Sequence, residues 1–294
     1  MSPEDALEGV APALVTPFED GTVDESALTA VVDHALAGGV DALVPCGTTG
    51  EFASLGPAER RRVVEVTVDA AGDVPVLAGA SGTSVTETVA AIEDAAAVGA
   101  DAALVLPPYY HTGREPAGNR RFFEAVLERT TLPVVLYNIP AYTGEPVAVE
   151  TVVALADHDR VLGIKDSSGD MAYLLSLVRE TPAGFRCLQG YDALLVPALR
   201  MGVDGGINAL ANVLPAVYAE LLETAGSPRG RRLGDEAVVP LFEACSEYGF
   251  APATKAALEH RGVIPDDGVR PPLSRLPPAG RERIGEAVDR ALEV

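Results

Sequence analysis

The alternation of short apolar runs with amphipathic stretches restricts this chain more than any other feature. Runs that are apolar almost throughout fall at 9–18, 41–47, 75–80, 102–108, 133–139, 161–167, 185–190 and 205–209. Stretches with helical spacing follow them near 24–38, 57–71, 84–97, 117–130, 147–156, 170–180, 191–200 and 214–224. A strand apolar on both sides, rather than on alternate residues, belongs to a parallel sheet covered on both faces. Parallel neighbours need a long crossover, and a helix is available for each one. Eight such units in the first 224 residues predict a closed (β/α)8 barrel. A doubly wound open sheet is the alternative, but no Gly-x-Gly-x-x-Gly turn follows the first run.

The punctuation agrees with this reading. Gly39-Val40-Asp41, Gly99-Ala100-Asp101 and Gly202-Val203-Asp204 each separate a helical stretch from an apolar run. The glycines suit left-handed helix ends, where a Cβ is penalised. Ser84 and Glu87 have the spacing of a capping box. After about residue 225 the strand pattern stops, and helical stretches at 229–248, 252–261 and 277–292 are joined by Gly/Pro-rich turns. The chain therefore divides into a barrel, 1–224, and a helical C-terminal extension, 225–294, whose expected work is packing or oligomer contact.

Composition narrows the function. A hydrophobic content of 48% supports a sizeable core, and no run approaches a membrane span. The N-terminus lacks a basic region followed by an apolar stretch, so the expected location is the cytoplasm. A formal charge of −21 argues against nucleic acid and anionic membranes as partners. Spread acidity with few lysines suggests a protein adapted to a salt-rich cytoplasm, where ions screen self-repulsion. The three cysteines and four histidines are scattered, and no metal site or disulfide framework is expected.

Only two lysines occur. Lys255 sits in an ordinary helical stretch, whereas Lys165 sits in the apolar run Val161-Leu162-Gly163-Ile164-Lys165-Asp166. Burial disfavours the ammonium form and frees the lone pair for attack on a carbonyl, so Lys165 is the candidate Schiff-base nucleophile. The plainer alternative is a strand-end lysine paired with Asp166 or another neighbour.

In such a barrel the chemistry gathers at the C-terminal ends of the strands. There the runs place Gly47-Thr48-Thr49-Gly50-Glu51, Tyr109-Tyr110, Tyr137-Asn138-Ile139-Pro140, Lys165 and Gln189-Gly190-Tyr191-Asp192. Successive N–H groups and hydroxyls across Gly47–Gly50 can hold a carboxylate, although Gly and Thr also make ordinary turns. Tyr137, one strand before Lys165, can move protons. A buried tyrosine is otherwise core, and packing is expected to account for one of Tyr109 and Tyr110.

These motifs, with Thr143-Gly144, Lys255-Ala256-Ala257-Leu258 and Val269-Arg270-Pro271-Pro272-Leu273, resemble the dihydrodipicolinate synthase / N-acetylneuraminate lyase family of class I aldolases. The likeness covers nearly the whole chain. It implies a (β/α)8 barrel with a helical extension, assembled as a homotetramer, a dimer of dimers. It implies that Lys165 forms the Schiff base with pyruvate, that Tyr137 shuttles protons, and that Thr48 and Thr49 beside Gly47 bind the carboxylate. Thr48 would link Tyr137 to Tyr110 from a neighbouring subunit, and Gly190 and Ile207 would give backbone contacts. No metal or organic cofactor is implied, because the lysine is the electron sink.

The aldehyde partner is read from departures. Synthases of the lysine pathway usually continue Ser-Arg-Thr-Gly after the Tyr-Asn motif; here Ala141-Tyr142-Thr143-Gly144 puts Tyr142 in place of the arginine. That removes a bidentate charged partner for a carboxylate. Gln189-Gly190-Tyr191-Asp192 resembles the sugar-acid lyases, but Ala193 and Ala209 stand where groups for a long polyol are expected. The expectation is an aldolase for a 2-keto-3-deoxy sugar acid such as 2-keto-3-deoxygluconate, with Tyr142 and Asp192 among its substrate-binding residues. The alternatives are 4-hydroxy-tetrahydrodipicolinate synthase, a Schiff-base dehydratase, and a non-catalytic 2-oxo-acid sensor. Arg114, Arg120 and Arg121 are candidates for a phosphate, weighed against ordinary solvated helix arginines.

Overall fold

The computed structural model describes residues 1–111 and 115–294; Arg114 lies outside them. The strands are β1 (Val10–Pro12), β2 (Phe18–Glu19), β3 (Thr22–Val23), β4 (Leu77–Gly79), β5 (Ala102–Val105), β6 (Val134–Asn138), β7 (Val161–Asp166), β8 (Arg186–Gln189) and β9 (Gly205–Asn208). Seven of them form one parallel sheet in the order β1-β9-β8-β7-β6-β5-β4. The run at 41–47 makes bridges rather than a full strand, pairing Val44 with Ala13 and Leu43 with Val76. Those two bridges join β1 to β4 and close the sheet into the expected (β/α)8 barrel. β2 and β3 form a small antiparallel hairpin outside it.

The barrel helices are Glu25–Ala37, Pro57–Ala71, Val85–Ala97, Pro116–Leu127, Val149–Ala156, Met171–Glu180, Leu195–Arg200 and Pro215–Thr224. Gly39, Gly99 and Gly202 have φ of 82°, 93° and 93°, as their helix ends require. The aspartate of each Gly-x-Asp motif also has a task. Asp41, Asp101 and Asp204 accept the N–H of Val10, Val76 and Cys187, at 2.9, 2.8 and 2.8 Å. Each one fastens the start of its strand to the start of the preceding neighbour, satisfying a donor that the ladder leaves open. The capping box at Ser84 forms by half: Ser84 accepts the Glu87 N–H, but the Glu87 carboxylate turns to Thr83.

Ala11, Val44, Leu77, Leu104, Val135, Leu162, Leu188 and Ile207 fill the barrel interior. A second apolar cluster runs from Val10 through Val31 and Tyr218 to Leu241, Leu258 and Ile284. The C-terminal helices Val239–Tyr248, Phe250–His260 and Pro278–Glu293 thus share core with the barrel. The stretch expected as one helix over 229–248 is interrupted by a wide π turn at Leu233–Val238. Pro240 follows directly and has no N–H to donate to the turn before it.

Candidate active site

Lys165 is the fifth residue of β7 and pairs in register with Tyr137 of β6 and Leu188 of β8. It is 4% exposed, and its Nζ lies 4.4 Å from the centroid of the Tyr137 ring. The Tyr137 hydroxyl is 3.4 Å from Thr48 Oγ1. One face of the barrel therefore brings together residues from three separate runs, as the alternation predicts.

Asp166 is not the partner of Lys165. Its carboxylate accepts Asn138 Nδ2 at 2.7 Å and Ser168 Oγ at 2.9 Å, while Asn138 Oδ1 accepts the Val147 N–H. Burial pushes the Asp166 carboxyl above the usual range, and these donors act against that shift. Among the described residues, no acceptor hydrogen-bonds to Lys165 Nζ and no carboxylate forms an ion pair with it. Gly190 explains how the side chain fits: a Cβ there would lie 2.6 Å from Lys165 Cε and 2.1 Å from Ser167 Oγ.

The Gly47–Glu51 loop turns sharply between two non-glycine residues in the left-handed region, Cys46 and Glu51, both with φ of 56°. None of the hydrogen bonds among described residues uses the N–H of Thr48 or Thr49. Those N–H groups are therefore uncommitted among the described residues. A Cβ on Gly47 would meet open space, whereas one on Gly50 would press on the Leu14 carbonyl at 2.7 Å. Gly50 thus serves close packing against the segment after β1, and a Cβ on Gly47 would be unobstructed.

A cavity of about 310 Å³ is lined by Thr48 and Thr49, though not by Lys165 or Tyr137. Phe52, Leu106, Tyr109, Tyr142, Phe250 and Leu273 give its wall a largely apolar character. Tyr142, 64% exposed, stands at this mouth. Tyr109 packs edge-on to Phe52 with centroids 6.3 Å apart, so it is the packing member of the tyrosine pair. Tyr110 is 79% exposed and makes no hydrogen bond to Thr48 or Tyr137 of its own chain.

Gly190 donates its N–H to the Asp166 carbonyl at 2.7 Å, and Ile207 points into the barrel. Asp192 is buried, and its Oδ1 already accepts the Leu210 N–H at 2.9 Å and the Tyr218 hydroxyl at 2.5 Å. Burial pushes its carboxyl up, opposed by those hydrogen bonds and the Lys165 charge. Arg120 is paired with Glu124 at 2.7 Å on the surface, and Arg121 is exposed there too. Burial pushes the Cys46 and Cys187 thiols up to about 12, which keeps them protonated and poor nucleophiles.

One expectation is corrected. Lys255 is not an ordinary helix lysine: it is wholly buried, more so than Lys165. Its ammonium pairs with the equally buried Glu51 and donates to the Gly268 carbonyl at 2.7 Å. Glu51 was legible only as the end of a motif. The signal available was Lys255's setting, the apolar sequence Ala253-Thr254-Lys255-Ala256-Ala257-Leu258, in a chain that otherwise uses arginine.

The sequence matches the dihydrodipicolinate synthetase family over residues 6–291. The chain belongs to that family. A 4-hydroxy-tetrahydrodipicolinate synthase of Syntrophus aciditrophicus is 37% identical, over 95% of this chain and 96% of its own length. Those of Natronomonas pharaonis and Methanopyrus kandleri are 37% and 38% identical, over 97% and 98% of this chain and 97% and 96% of theirs. A monomeric dihydrodipicolinate synthase variant superimposes with a TM-score of 0.93 at 30% identity, covering all of both chains. The dihydrodipicolinate synthase of Aquifex aeolicus gives 0.91 at 31%, over 96% of this chain and 97% of its own. Members of this class I aldolase family are pyruvate-dependent lyases, and this chain is an enzyme of that class. Among its described residues, no helix is long and apolar enough to cross a membrane.

Proposed function

We propose that Lys165 forms a Schiff base with pyruvate and that the resulting enamine makes, or is released by breaking, a carbon–carbon bond to an aldehyde. The observation that carries this is a nearly buried lysine, held by no hydrogen-bond acceptor or carboxylate among the described residues, beside a tyrosine whose hydroxyl faces Thr48. The neutral amine attacks the pyruvate C2 carbonyl, and the carbinolamine loses water as Tyr137 gives a proton to the leaving oxygen. The iminium accepts the electron pair when a C3 proton leaves, giving the enamine. Hydrolysis of the imine formed after bond-making returns the lysine.

Thr48, Thr49 and the backbone beside Gly47 hold the pyruvate carboxylate, and the backbone of Gly190 and Ile207 flanks its reacting end. Tyr142 meets the aldehyde partner, and Asp192 has its second oxygen to offer a substrate hydroxyl. Tyr110, exposed on its own chain, completes the neighbouring subunit's proton path in a homotetramer. The catalytic unit is the barrel, 1–224, and the extension, 225–294, supports it in the cytoplasm.

Two readings of the aldehyde have separate support. The relatives' names favour aspartate semialdehyde and hence 4-hydroxy-tetrahydrodipicolinate synthesis, which displaces the sugar-acid reading from first place. Tyr142 and the apolar mouth favour reversible cleavage of a 2-keto-3-deoxy sugar acid, since no described residue lining the cavity is cationic. The shared chemistry is tested by intact mass after pyruvate and borohydride. Wild type is expected to gain the reduced pyruvyl adduct and Lys165→Ala is not; an adduct of equal yield in Lys165→Ala refutes the assignment. Turnover with aspartate semialdehyde against 2-keto-3-deoxygluconate then separates the two readings.

A further inference from the structure

The buried Lys255–Glu51 pair has no part in the chemistry just described, yet it bears on the loop that carries Thr48 and Thr49. We propose that Lys255 and Glu51 are positioning residues, by which the C-terminal extension holds the Gly47–Glu51 loop in its pyruvate-binding shape. The proposal rests on the Schiff-base reading above.

Glu51 ends the loop in a left-handed conformation that a non-glycine residue keeps only when its surroundings hold it. Both of its carboxylate oxygens are held from beyond residue 250. Lys255 Nζ takes Oε1, and the Arg270 N–H donates to Oε2 at 3.1 Å. Both cations lie over the Phe18 ring, Lys255 Nζ 4.1 Å and Arg270 Cζ 4.4 Å from its centroid. The Arg270 guanidinium continues outward to Glu59, at 2.6 and 2.9 Å, and to the Ser54 carbonyl at 2.9 Å. On the barrel side, Thr16 Oγ1 donates to the Gly50 carbonyl at 2.8 Å. The C-terminal end of the loop is thus held from two sides, Gly50 from the barrel and Glu51 from the extension, and Thr48, near its start, faces Tyr137.

A buried ion pair contributes little net stability compared with apolar residues of the same shape, so stability alone is a weak reason for this one. Its directed bonds instead aim one loop. A loop misplaced by about 1 Å is expected to weaken catalysis about 100-fold.

The test is the double variant Glu51→Gln/Lys255→Met, which removes both charges and leaves neither ion unpaired. The readout is the pyruvate concentration giving half-maximal borohydride trapping at Lys165, alongside thermal unfolding. The expected result is a folded protein whose half-saturating pyruvate rises about 10-fold or more, together with slower trapping at saturation. Unchanged half-saturation, with trapping reduced only in proportion to the folded fraction, is the outcome of a purely structural pair and overturns the proposal. If the double variant does not fold, Arg270→Gln keeps the pair and loosens only its outer support. A smaller increase in half-saturating pyruvate than the double variant would show is then expected, and none refutes the clamp. A wild type that forms no adduct overturns the Schiff-base reading itself, whereas a wild-type adduct with an unshifted variant overturns only the clamp.

Discussion

Gly190→Ala isolates the placement of Lys165, the proposed nucleophile, from the fold. The new methyl would lie 2.6 Å from Lys165 Cε, 2.1 Å from Ser167 Oγ and 3.1 Å from the Asp166 carbonyl. The serine hydroxyl and lysine chain are the mobile parties, because the carbonyl is fixed by the Gly190 N–H at 2.7 Å. Ordinary contact requires the lysine Cε to retreat by about 1 Å, and a misplacement of that size costs about 10² in rate. That is about 2.7 kcal/mol of activation free energy. Overpacking itself costs about 1–3 kcal/mol of stability, a loss of a few degrees in Tm that leaves the protein folded at 25 °C. The assay is the rate of borohydride-trapped pyruvate adduct at saturating pyruvate, with Gly226→Ala as control, since a Cβ there meets nothing within 4 Å. A Gly190→Ala enzyme trapping pyruvate at the wild-type rate would show that the lysine chain does not pass this point.

Tyr137→Phe is expected to slow turnover by about 10²–10⁴ while leaving the protein folded, as loss of a general acid–base does; steady-state kcat checks it, and an unchanged value removes Tyr137 from the proton path. Asp192→Asn keeps an oxygen for the Leu210 N–H and Tyr218 hydroxyl while removing a buried charge. Because burial raises this carboxyl in the folded state, its stability contribution is full below the ordinary carboxylate range and is lost as pH rises through the raised value. The variant is therefore expected to lose that part of the decline and to unfold at pH 7 no lower than wild type; a clear drop in Tm would mean that the ionised form is needed. Unfolding midpoints are expected to rise with molar KCl, given the charge of −21, and a flat series would discard the salt-adaptation reading.

The barrel was legible because parallel strands buried on both faces leave an apolar run at every crossing. What the runs did not show was strand length. Ladder pairing holds only three residues at Val10–Pro12 and at Leu77–Gly79, and the 41–47 run only bridges its neighbours. Apolarity marks burial, and burial extends past the last ladder bond. The hairpin of β2 and β3 carries a strong turn signal in Asp20-Gly21, both left-handed; it is hidden because its strands are two residues each and the first begins at the end of the 9–18 run. At the site, strand ends placed Lys165, Tyr137 and Thr48 correctly on one face. The roles of Asp166, Asp192 and Glu51 depend on partners 28, 26 and 204 residues away, which no local pattern reveals.

The two lysines show why burial alone does not select a nucleophile. Lys255 is the more buried, and burial pulls its ammonium down from the usual range, opposed by the Glu51 charge. By the desolvation argument alone it would be the better amine. Yet its hydrogens are committed to Glu51 and Gly268, and its residue has no exposed surface for a carbonyl carbon to approach. Lys165 has the opposite combination, a side chain enclosed by the barrel and an Nζ that no described acceptor holds. Nucleophilic attack needs a lone pair and an open trajectory together. What separates the proposed nucleophile from the structural lysine is therefore that no described acceptor holds it, because Asp166 turns away to Asn138 and Ser168.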